Sequence, residues 1–366
     1  MKNVCFFGLV IMVMASCTDL SQNDNLLQEK DQIELAKPEL EIDFSNLELK
    51  MKFYEQKNQE RLANATHLKK GCDSNVKVPL DFSSIQEAVD NVCDGGHVMV
   101  SSGEYYEEIY INKPGVKIKA IGDVVLIGGF ILNEYADETT IQNFKIKLHG
   151  AINGIFSYKA DKLRISQNEI EDFPFYNNYG ILLGNTNESI IHKNKIIRTG
   201  NGITLMTDDN YEGISQKNDI SFNYVNSYFI SGISFIGNLD ENSIKNNTVS
   251  LHAFYRERFF GGGIALISRV NSNHFISSDN NQIKNNNISD GTIGLLITDF
   301  NSGNEVTGNE ISNNFMYGIY SLSLDEGANP NIFKNNTVRD NFSCDIVDVS
   351  GINIYLKNTA DCTIGI

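Results

Sequence analysis

The chain has 366 residues, enough for one long domain or two ordinary ones, and its formal net charge is −16. This acidic excess argues against a general nucleic-acid binder, because phosphate contacts need clustered Lys and Arg. A polyanionic ligand would have to meet a local basic patch or a bridging cation.

The first residues have the pattern of an export signal. Lys2 supplies a positive charge, an apolar run covers residues 4–15, and small residues precede Cys17. The run is too short to span a bilayer and suits a signal peptide. It resembles a bacterial lipoprotein signal, in which the cysteine is lipidated. We therefore expect a signal over residues 1–16 and a lipid on Cys17 as the only membrane contact. The lipid would lie in the outer membrane, on its surface or periplasmic side; an ordinary secretory signal is the alternative.

Residues 17–75 separate this expected anchor from the rest of the chain. The part up to about residue 45 is polar and acidic, which is typical of a tether. Residues 46–70 are charged and are predicted to be partly helical. They either lie on the main domain or extend the tether.

From residue 76 to residue 366 we expect one repeat domain, because two short patterns recur. Asn-x-Ile/Val occurs at Asn168, Asn194, Asn223, Asn247, Asn286, Asn309 and Asn336. Gly-Ile/Leu occurs at Gly154, Gly180, Gly202, Gly232, Gly263, Gly294 and Gly318. The spacing is roughly 22–31 residues, with one longer gap, and a period of this size indicates stacked units. Short β-branched segments bounded by Asn and Gly are typical of strands and turns.

The repeats predict a parallel β-solenoid, in which each coil buries its alternate apolar residues under the next coil. Asn is expected at one turn because it tolerates a left-handed backbone and because stacked Asn side chains can bond from coil to coil. A leucine-rich repeat is excluded, since the units have neither an LxxLxL frame nor a helix.

The stretch "SIQEAVDNV", followed by "HVMVSSGEYYEEIYI" and "VKIKAIGDVVLIGG", resembles the N-terminal cap and first coils of right-handed parallel β-helix proteins of the pectin lyase-like group. The resemblance covers about residues 78–360. It implies an all-β, single-stranded right-handed solenoid with a short capping helix, whose apolar stripe would be Ile85, Ala88 and Val89. Many chemistries share this fold, so the resemblance is weak for activity.

Four cysteines remain in the expected mature chain beside Cys17. An even number in an oxidising compartment favours the disulfides Cys72–Cys93 and Cys344–Cys362, one near each end of the fold. Four buried free thiols are the alternative. The absence of any CxxC spacing argues against a zinc site.

We expect the Gly-Ile strands to form the sheet that carries the catalytic groups in enzymes of this fold. Alternation places Ile203 and Leu205 inward and Thr204 and Met206 outward. Aligned over the coils, the first outward column is Leu182, Thr204, Ser234, Ala265, Leu296 and Tyr320. The second is Gly184, Met206, Ile236, Ile267, Thr298 and Leu322. Such an apolar face argues against dense catalysis and requires a cover, namely the 46–70 segment, the turn before Gly261 or another chain.

Polar residues gather just past these strands. Asp208, Asp209 and Asp240 could bind Ca²⁺ or form an acid/base pair. The resemblance implies a further role, since lyases of this fold commonly use Arg or Lys to abstract the proton beside a uronate carboxylate. Arg269 would take that role here. The alternative is a set of solvated turn residues, with Arg269 and Asp299 forming a surface ion pair.

The segment "SLHAFYRERFFGGG" is the longest irregular insertion between coils. It holds His252, Tyr255, Arg256 and Arg258, which form the best local site for an anionic sugar in so acidic a chain. Tyr and His could serve as acid and base. The alternative is a loop whose aromatic residues cover a core edge. We rank this segment above the carboxylate cluster as a binding site.

Two functions stay open at this point. One is a lipid-anchored polysaccharide lyase or glycoside hydrolase, with polysaccharide as its partner and Ca²⁺ as its one candidate cofactor. The other is a non-catalytic surface solenoid that binds glycans or protein partners. Polygalacturonase-type and alginate epimerase-type catalytic motifs are both missing from the sequence, as is Trp. The oligomeric state is not indicated.

Overall fold

The computed structural model describes residues 46–65, 71–148, 153–172, 178–208, 214–227, 231–251, 262–270, 275–322 and 329–366. All of them lie within one compact unit, Phe44–Ile366. His252, Tyr255, Arg256, Arg258, Asp209 and Cys17 lie outside the described residues. Among the described residues, no helix has the length and apolar character needed to cross a membrane.

In the N-terminal part of the described residues, two helices lie on either side of the strand Asp73–Val78. Helix α1, Leu47–Ala63, begins after Asn46, whose side-chain oxygen accepts a hydrogen bond from the Leu49 N–H. Helix α2, Ile85–Asn91, begins after Ser84. The predicted stripe of α2, Ile85, Ala88 and Val89, is buried as expected, and it closes the N-terminal end of the core.

The remaining chain forms a parallel β-solenoid of about ten turns. It begins with strands Asp73–Val78, Val92–Ile111 and Lys117–Leu132. The front sheet continues with Asn153–Tyr158, Tyr179–Gly184, Asn201–Met206, Ser231–Ile236, Gly262–Ile267, Ile293–Ile297, Tyr317–Ser321, Cys344–Asp348 and Thr363–Ile364. The second sheet comprises Thr140–Gln142, Arg164–Ser166, Ile190–His192, Asp219–Ser221, Ser243–Lys245, Gln282–Lys284, Glu305–Thr307, Ile332–Lys334 and Ile354–Leu356.

The third sheet comprises Lys145–Lys147, Glu169–Glu171, Lys195–Thr199, Tyr224–Ser227, Thr248–Leu251, Asn287–Ser289, Glu310–Ser312 and Thr337–Arg339. Two short pairs lie outside these sheets. They are Ser215–Gln216 with Leu239–Asp240, which is parallel, and Arg269–Val270 with Phe275–Ile276, which is antiparallel. Each coil contributes one strand to each sheet, and the inward Ile, Val, Leu and Phe side chains form one continuous core.

Two buried columns of stacked asparagines run along the solenoid. The predicted column joins Asn168, Asn194, Asn223, Asn247, Asn286, Asn309 and Asn336, and in the structure it continues to Asn358. A second column, which the sequence analysis missed, joins Asn218, Asn242, Asn281, Asn304, Asn331 and Asn353. In both columns each amide donates to the side-chain oxygen of the next coil, so buried turn groups are satisfied without water.

The expected reason for the first asparagine column is wrong in part. The left-handed backbone belongs to the residue before each ladder Asn, such as Gln167, Lys193 and Phe222, and not to the Asn itself. The ladder Asn is therefore selected for its side-chain amide, which both donates and accepts, rather than for its backbone.

The recurring glycine of the front sheet has a packing cause. A Cβ on Gly202 would lie 2.2 Å from the Gly232 carbonyl oxygen, and one on Gly232 would lie 2.6 Å from the Gly263 carbonyl oxygen. The backbones of successive coils approach too closely at this corner for any side chain.

Disulfides lie near both ends of the solenoid. Both predicted pairs, Cys72–Cys93 and Cys344–Cys362, are present in the structure. The C-terminal end carries no helix among the described residues; there Tyr355 stacks on Phe333 with ring centroids 4.7 Å apart.

Candidate functional site

The outward side of the front sheet is the surface on which the predicted columns lie. The strand register pairs Leu182 with Thr204 and Thr204 with Ser234, and it pairs Met206 with Ile236. The later coils continue the same alignment through Ala265, Leu296 and Tyr320. Both predicted columns are therefore confirmed, as is the inward orientation of Ile203 and Leu205, which are buried in the core.

Helix α1 covers the N-terminal part of this face. Leu47, Met51 and Tyr54 pack against Phe156, Tyr158, Leu182 and Met206 of the front sheet. Three candidates for the cover of the apolar face followed from the sequence. The helix of the 46–70 segment is the one that covers its N-terminal part. While α1 is docked, a sugar chain cannot contact Phe156, Leu182 or Met206, whereas Tyr179 stays partly exposed.

Lys50 is a residue of α1 whose side chain lies between the helix and the front sheet. It is fully buried, and its Nζ donates to Asn153 Oδ1 at 3.0 Å. The same nitrogen lies 5.1 Å from the ring centroid of Phe156 and 5.4 Å from that of Tyr179. Burial lowers the pKa of Lys50 to about 7. Lys50 therefore exists as a mixture of charged and neutral forms at neutral pH.

Ion pairs join the C-terminal half of α1 to helix α2 and to the strand Val92–Ile111. The Nη1 and Nη2 atoms of Arg61 both donate to the Asp90 carboxylate, and the Nη2–Oδ1 distance is 3.0 Å. Lys57 Nζ lies 2.7 Å from Glu108 Oε2. The Arg61 pair is partly buried and bidentate, so it fixes the helix more firmly than the exposed Lys57 pair.

Asp208 is held in a hydrogen-bond network at the edge of the covered region. Its Oδ2 accepts from the Tyr158 hydroxyl and from Asn185 Nδ2 at 3.1 Å, and its N–H donates to Asn185 Oδ1 at 3.1 Å. Burial, together with the neighbouring Asp208 carboxylate, raises the pKa of Tyr158. These contacts fix the position of the Asp208 carboxylate.

Asp240 belongs to a different network. Its Oδ1 accepts from the Asp279 N–H at 3.0 Å, and burial raises the pKa of its carboxyl. No group of three or more His, Cys, Asp or Glu side chains in the described part of the chain is arranged to hold a metal ion. The predicted Ca²⁺ site also needs Asp209, which lies outside that part, so it stays a prediction.

Arg269 extends back across the face from the end of its strand. Its Nη1 lies 3.4 Å from the Thr207 carbonyl oxygen, although Thr207 belongs to a coil two turns earlier. Burial raises the pKa of Tyr179, and the positive charge of Arg269 opposes this shift. The guanidinium and the phenol therefore act on the same region of the face.

Asp299 has an environment that the sequence analysis did not anticipate. Its side chain is 4% exposed, its Oδ1 has no hydrogen-bond partner, and burial raises its pKa. The alternative interpretation is a surface ion pair between Arg269 and Asp299. It is wrong, because no such pair occurs among the described residues. The carboxylate also raises the pKa of Tyr320, after the larger effect of burial on that phenol.

Beyond α1, Ser234 and Ala265 are buried, whereas other outward side chains are partly exposed and mainly apolar. We define the distal patch as Ile236, Ile267, Leu296, Thr298, Tyr317 and Tyr320. Within it, the rings of Tyr317 and Tyr320 stack with centroids 5.2 Å apart and an interplanar angle of 19°. Flat aromatic surface of this kind can pack against the apolar face of a sugar ring.

Three residues of this surface were missed because the aligned columns began after each glycine. Asn153, Tyr179 and Tyr317 precede the glycines of their strands and share a third outward column in the register. Extending the alignment by one residue toward the N-terminus would have found them. The contact of Lys50 with this column had no sequence signal, since it depends on how α1 docks.

Comparisons with known proteins agree with this architecture. The family model described as "Right handed beta helix region" matches residues 128–279. The fold is a right-handed parallel β-helix. The sequence itself matches no curated protein.

Two solved structures share the fold. A double mutant of the periplasmic alginate epimerase AlgG is 13% identical, with a TM-score of 0.51, and the match covers 80% of this chain and 84% of that one. DFA-IIIase from Arthrobacter chlorophenolicus A6, without its lid, is 15% identical with a TM-score of 0.50, over 78% and 89% of the two chains. At such identities the likeness concerns the fold alone.

Proposed function

We propose that this β-helix binds polysaccharide on the distal patch. The observation that supports the proposal best is the stacked pair Tyr317–Tyr320, which lies on the part of the front sheet beyond α1. Sugar-binding sites combine aromatic surface with a few polar groups that fix orientation. Here Thr298 and Asp299 lie on the coil before Tyr320, and Arg269 lies one coil earlier still.

Binding is tested on a glycan array and then by calorimetry with purified mature protein. Tyr320→Ala should weaken binding by about tenfold, because one aromatic contact contributes on the order of 1–2 kcal/mol. Tyr224→Ala is the matched control, since Tyr224 is an exposed tyrosine of the third sheet. Equal affinities of the wild type and Tyr320→Ala would refute the proposed surface.

Cleavage by β-elimination is the second candidate function, and the proximity of Arg269 to Tyr179 supports it. A base would remove the proton on the carbon next to a uronate carboxylate. The adjacent C–O bond to the leaving sugar would break, a C=C bond would form, and the leaving oxygen would take a proton. Arg269 would neutralise the carboxylate or abstract the proton, and Tyr179 would supply a proton.

The assay measures ultraviolet absorbance of unsaturated product from a panel of polyuronates, with and without Ca²⁺. Arg269→Ala and Tyr179→Phe should abolish it, while Arg198→Ala, a third-sheet arginine paired with Glu171, should not. Loss in Arg256→Ala with retention in Arg269→Ala would instead assign the activity to the 250–263 segment. If no substrate gives unsaturated product, cleavage is refuted and binding is the one proposed function that remains.

Export and lipid anchoring at Cys17 complete the proposal. The two disulfides support an oxidising compartment. Cells supplied with an alkyne-labelled fatty acid should label the wild type and not Cys17→Ser, and the wild type should fractionate with the outer membrane. Label retained on Cys17→Ser would contradict this assignment.

A further inference from the structure

Asp299 is unusual among the acidic residues of the distal region. It is 4% exposed, whereas Asp290, at the opposite end of the same strand, is exposed and accepts a hydrogen bond from the Ser289 hydroxyl. A buried carboxylate whose Oδ1 has no donor costs free energy, unless it is protonated or a ligand supplies the donor. Such a group in a native protein needs an explanation, and a bound molecule, water or ion that donates to it is one.

The neighbours of Asp299 indicate what that molecule is. Tyr320 pairs with Leu296 of the adjacent coil, three residues before Asp299. Burial raises the pKa of Tyr320, and the Asp299 carboxylate adds to this shift. An aromatic ring beside a carboxylate is a combination that binds sugar hydroxyls, because the ring packs on the C–H face while the carboxylate accepts from O–H groups. A uronate carboxylate at the same place would be repelled.

A positive charge, that of Arg269, lies farther along the same face than the Asp299 carboxylate. The Arg269 guanidinium reaches Thr207, and three coil spacings, about 14 Å, separate the Thr207 coil from that of Asp299. A pyranose unit is about as long as one coil spacing. A chain lying along the solenoid axis would therefore place units at Asp299 and at Arg269 that are two or three sugars apart.

We propose that Asp299, with Tyr320, forms a subsite for a neutral sugar, and that the ligand is a mixed polysaccharide with a neutral unit at Asp299 and a uronate at Arg269. This inference rests on the proposed binding of polysaccharide to the distal patch. It narrows the ligand from polyuronates in general to heteropolymers that contain neutral units.

The test compares three classes of oligosaccharide of equal length: uronate only, neutral only, and both. The wild type should bind the mixed class tightest. Asp299→Ala should weaken binding of the mixed and neutral classes by about tenfold and leave the uronate class unchanged or tighter. Asp299→Asn keeps the shape without the charge, so it should bind the uronate class at least about threefold tighter than the wild type does. Asp290→Asn is the matched control and should behave as the wild type.

The outcomes separate the two proposals. A wild type that binds no glycan refutes the proposed function and this inference with it. A wild type that binds glycans, but whose affinity for mixed and neutral chains is unchanged in Asp299→Ala, refutes the subsite alone. A preference of the wild type for uronate-only chains refutes it too. If Asp299→Ala does not fold, Asp299→Asn still decides, because relief of the buried charge should leave its stability equal or higher.

Discussion

At the scale of single residues, burial lowers the pKa of Lys50 and raises that of Asp299, and both side chains lie at the front face. One lies under α1 and the other lies beyond it. Neither environment could be read from the sequence. A lysine in a charged segment is ordinarily exposed, and an aspartate after a strand is ordinarily a solvated turn residue.

Lys50 predicts a specific pH dependence of stability. Its pKa is about 7 in the folded state and near 10.5 when unfolded, so the unfolded state binds more protons between these values. Stability should therefore rise with pH in that window, by about 2–3 kcal/mol between about pH 7 and pH 9. The cost of burying the charge is fully present below about pH 7.

The measurement is urea unfolding at several pH values for the wild type, Lys50→Met and Lys52→Met. Lys52 lies on the exposed side of the same helix and pairs with Glu48, which makes it the control. The rise with pH should persist in Lys52→Met and disappear in Lys50→Met. An identical slope in all three proteins would show that Lys50 is not buried as described.

At the scale of elements, the coil pattern was predictable and the helix docking was not. Alternation along a strand and repetition between coils fix which residues face outward, so columns drawn from the sequence agree with the register. Helix α1 buries Lys50 and Asn58 yet exposes Leu49 at 48%, so no apolar stripe identifies its docked face. The second asparagine column was predictable in principle, because its members stand five residues before those of the first.

Loss of a single asparagine from either column should lower the unfolding free energy strongly. Asn223 accepts from the N–H and the Nδ2 of Asn194 and donates to Ile191 O and Asn247 Oδ1. Asn223→Ala leaves several buried groups without partners and should cost about 2–5 kcal/mol of unfolding free energy. Asn226→Ala, which removes one partly buried bond to Ser250, should cost less than about 1 kcal/mol. Equal costs in denaturant titration would contradict the importance of the column.

At the scale of the whole molecule, each coil contacts mainly its neighbours, so stability is expected to be local along the axis. Helix α2 and Cys72–Cys93 protect the N-terminal end, whereas Cys344–Cys362 joins the last coils. The two ends should therefore respond separately when their disulfides are removed.

Replacing Cys344 and Cys362 with Ser should speed amide hydrogen exchange in residues 344–366 while leaving the coils before residue 290 unchanged. The corresponding variant of Cys72 and Cys93 should show the reverse pattern, with faster exchange confined to the first coils. Loss of protection along the entire solenoid in either variant would mean that it unfolds as one cooperative unit, contrary to this expectation.

The position of helix α1 also limits the path of a polysaccharide that binds as proposed. Between the Thr207 coil, where the helix-covered strands stop, and the Tyr320 coil lie four coil spacings, about 19 Å, or about four sugar units. A polymer that continues past Thr207 along the axis meets the helix and must bend away or terminate. A polysaccharide bound as proposed would therefore meet a surface closed at one side, an arrangement that suits chain termini over chain interiors.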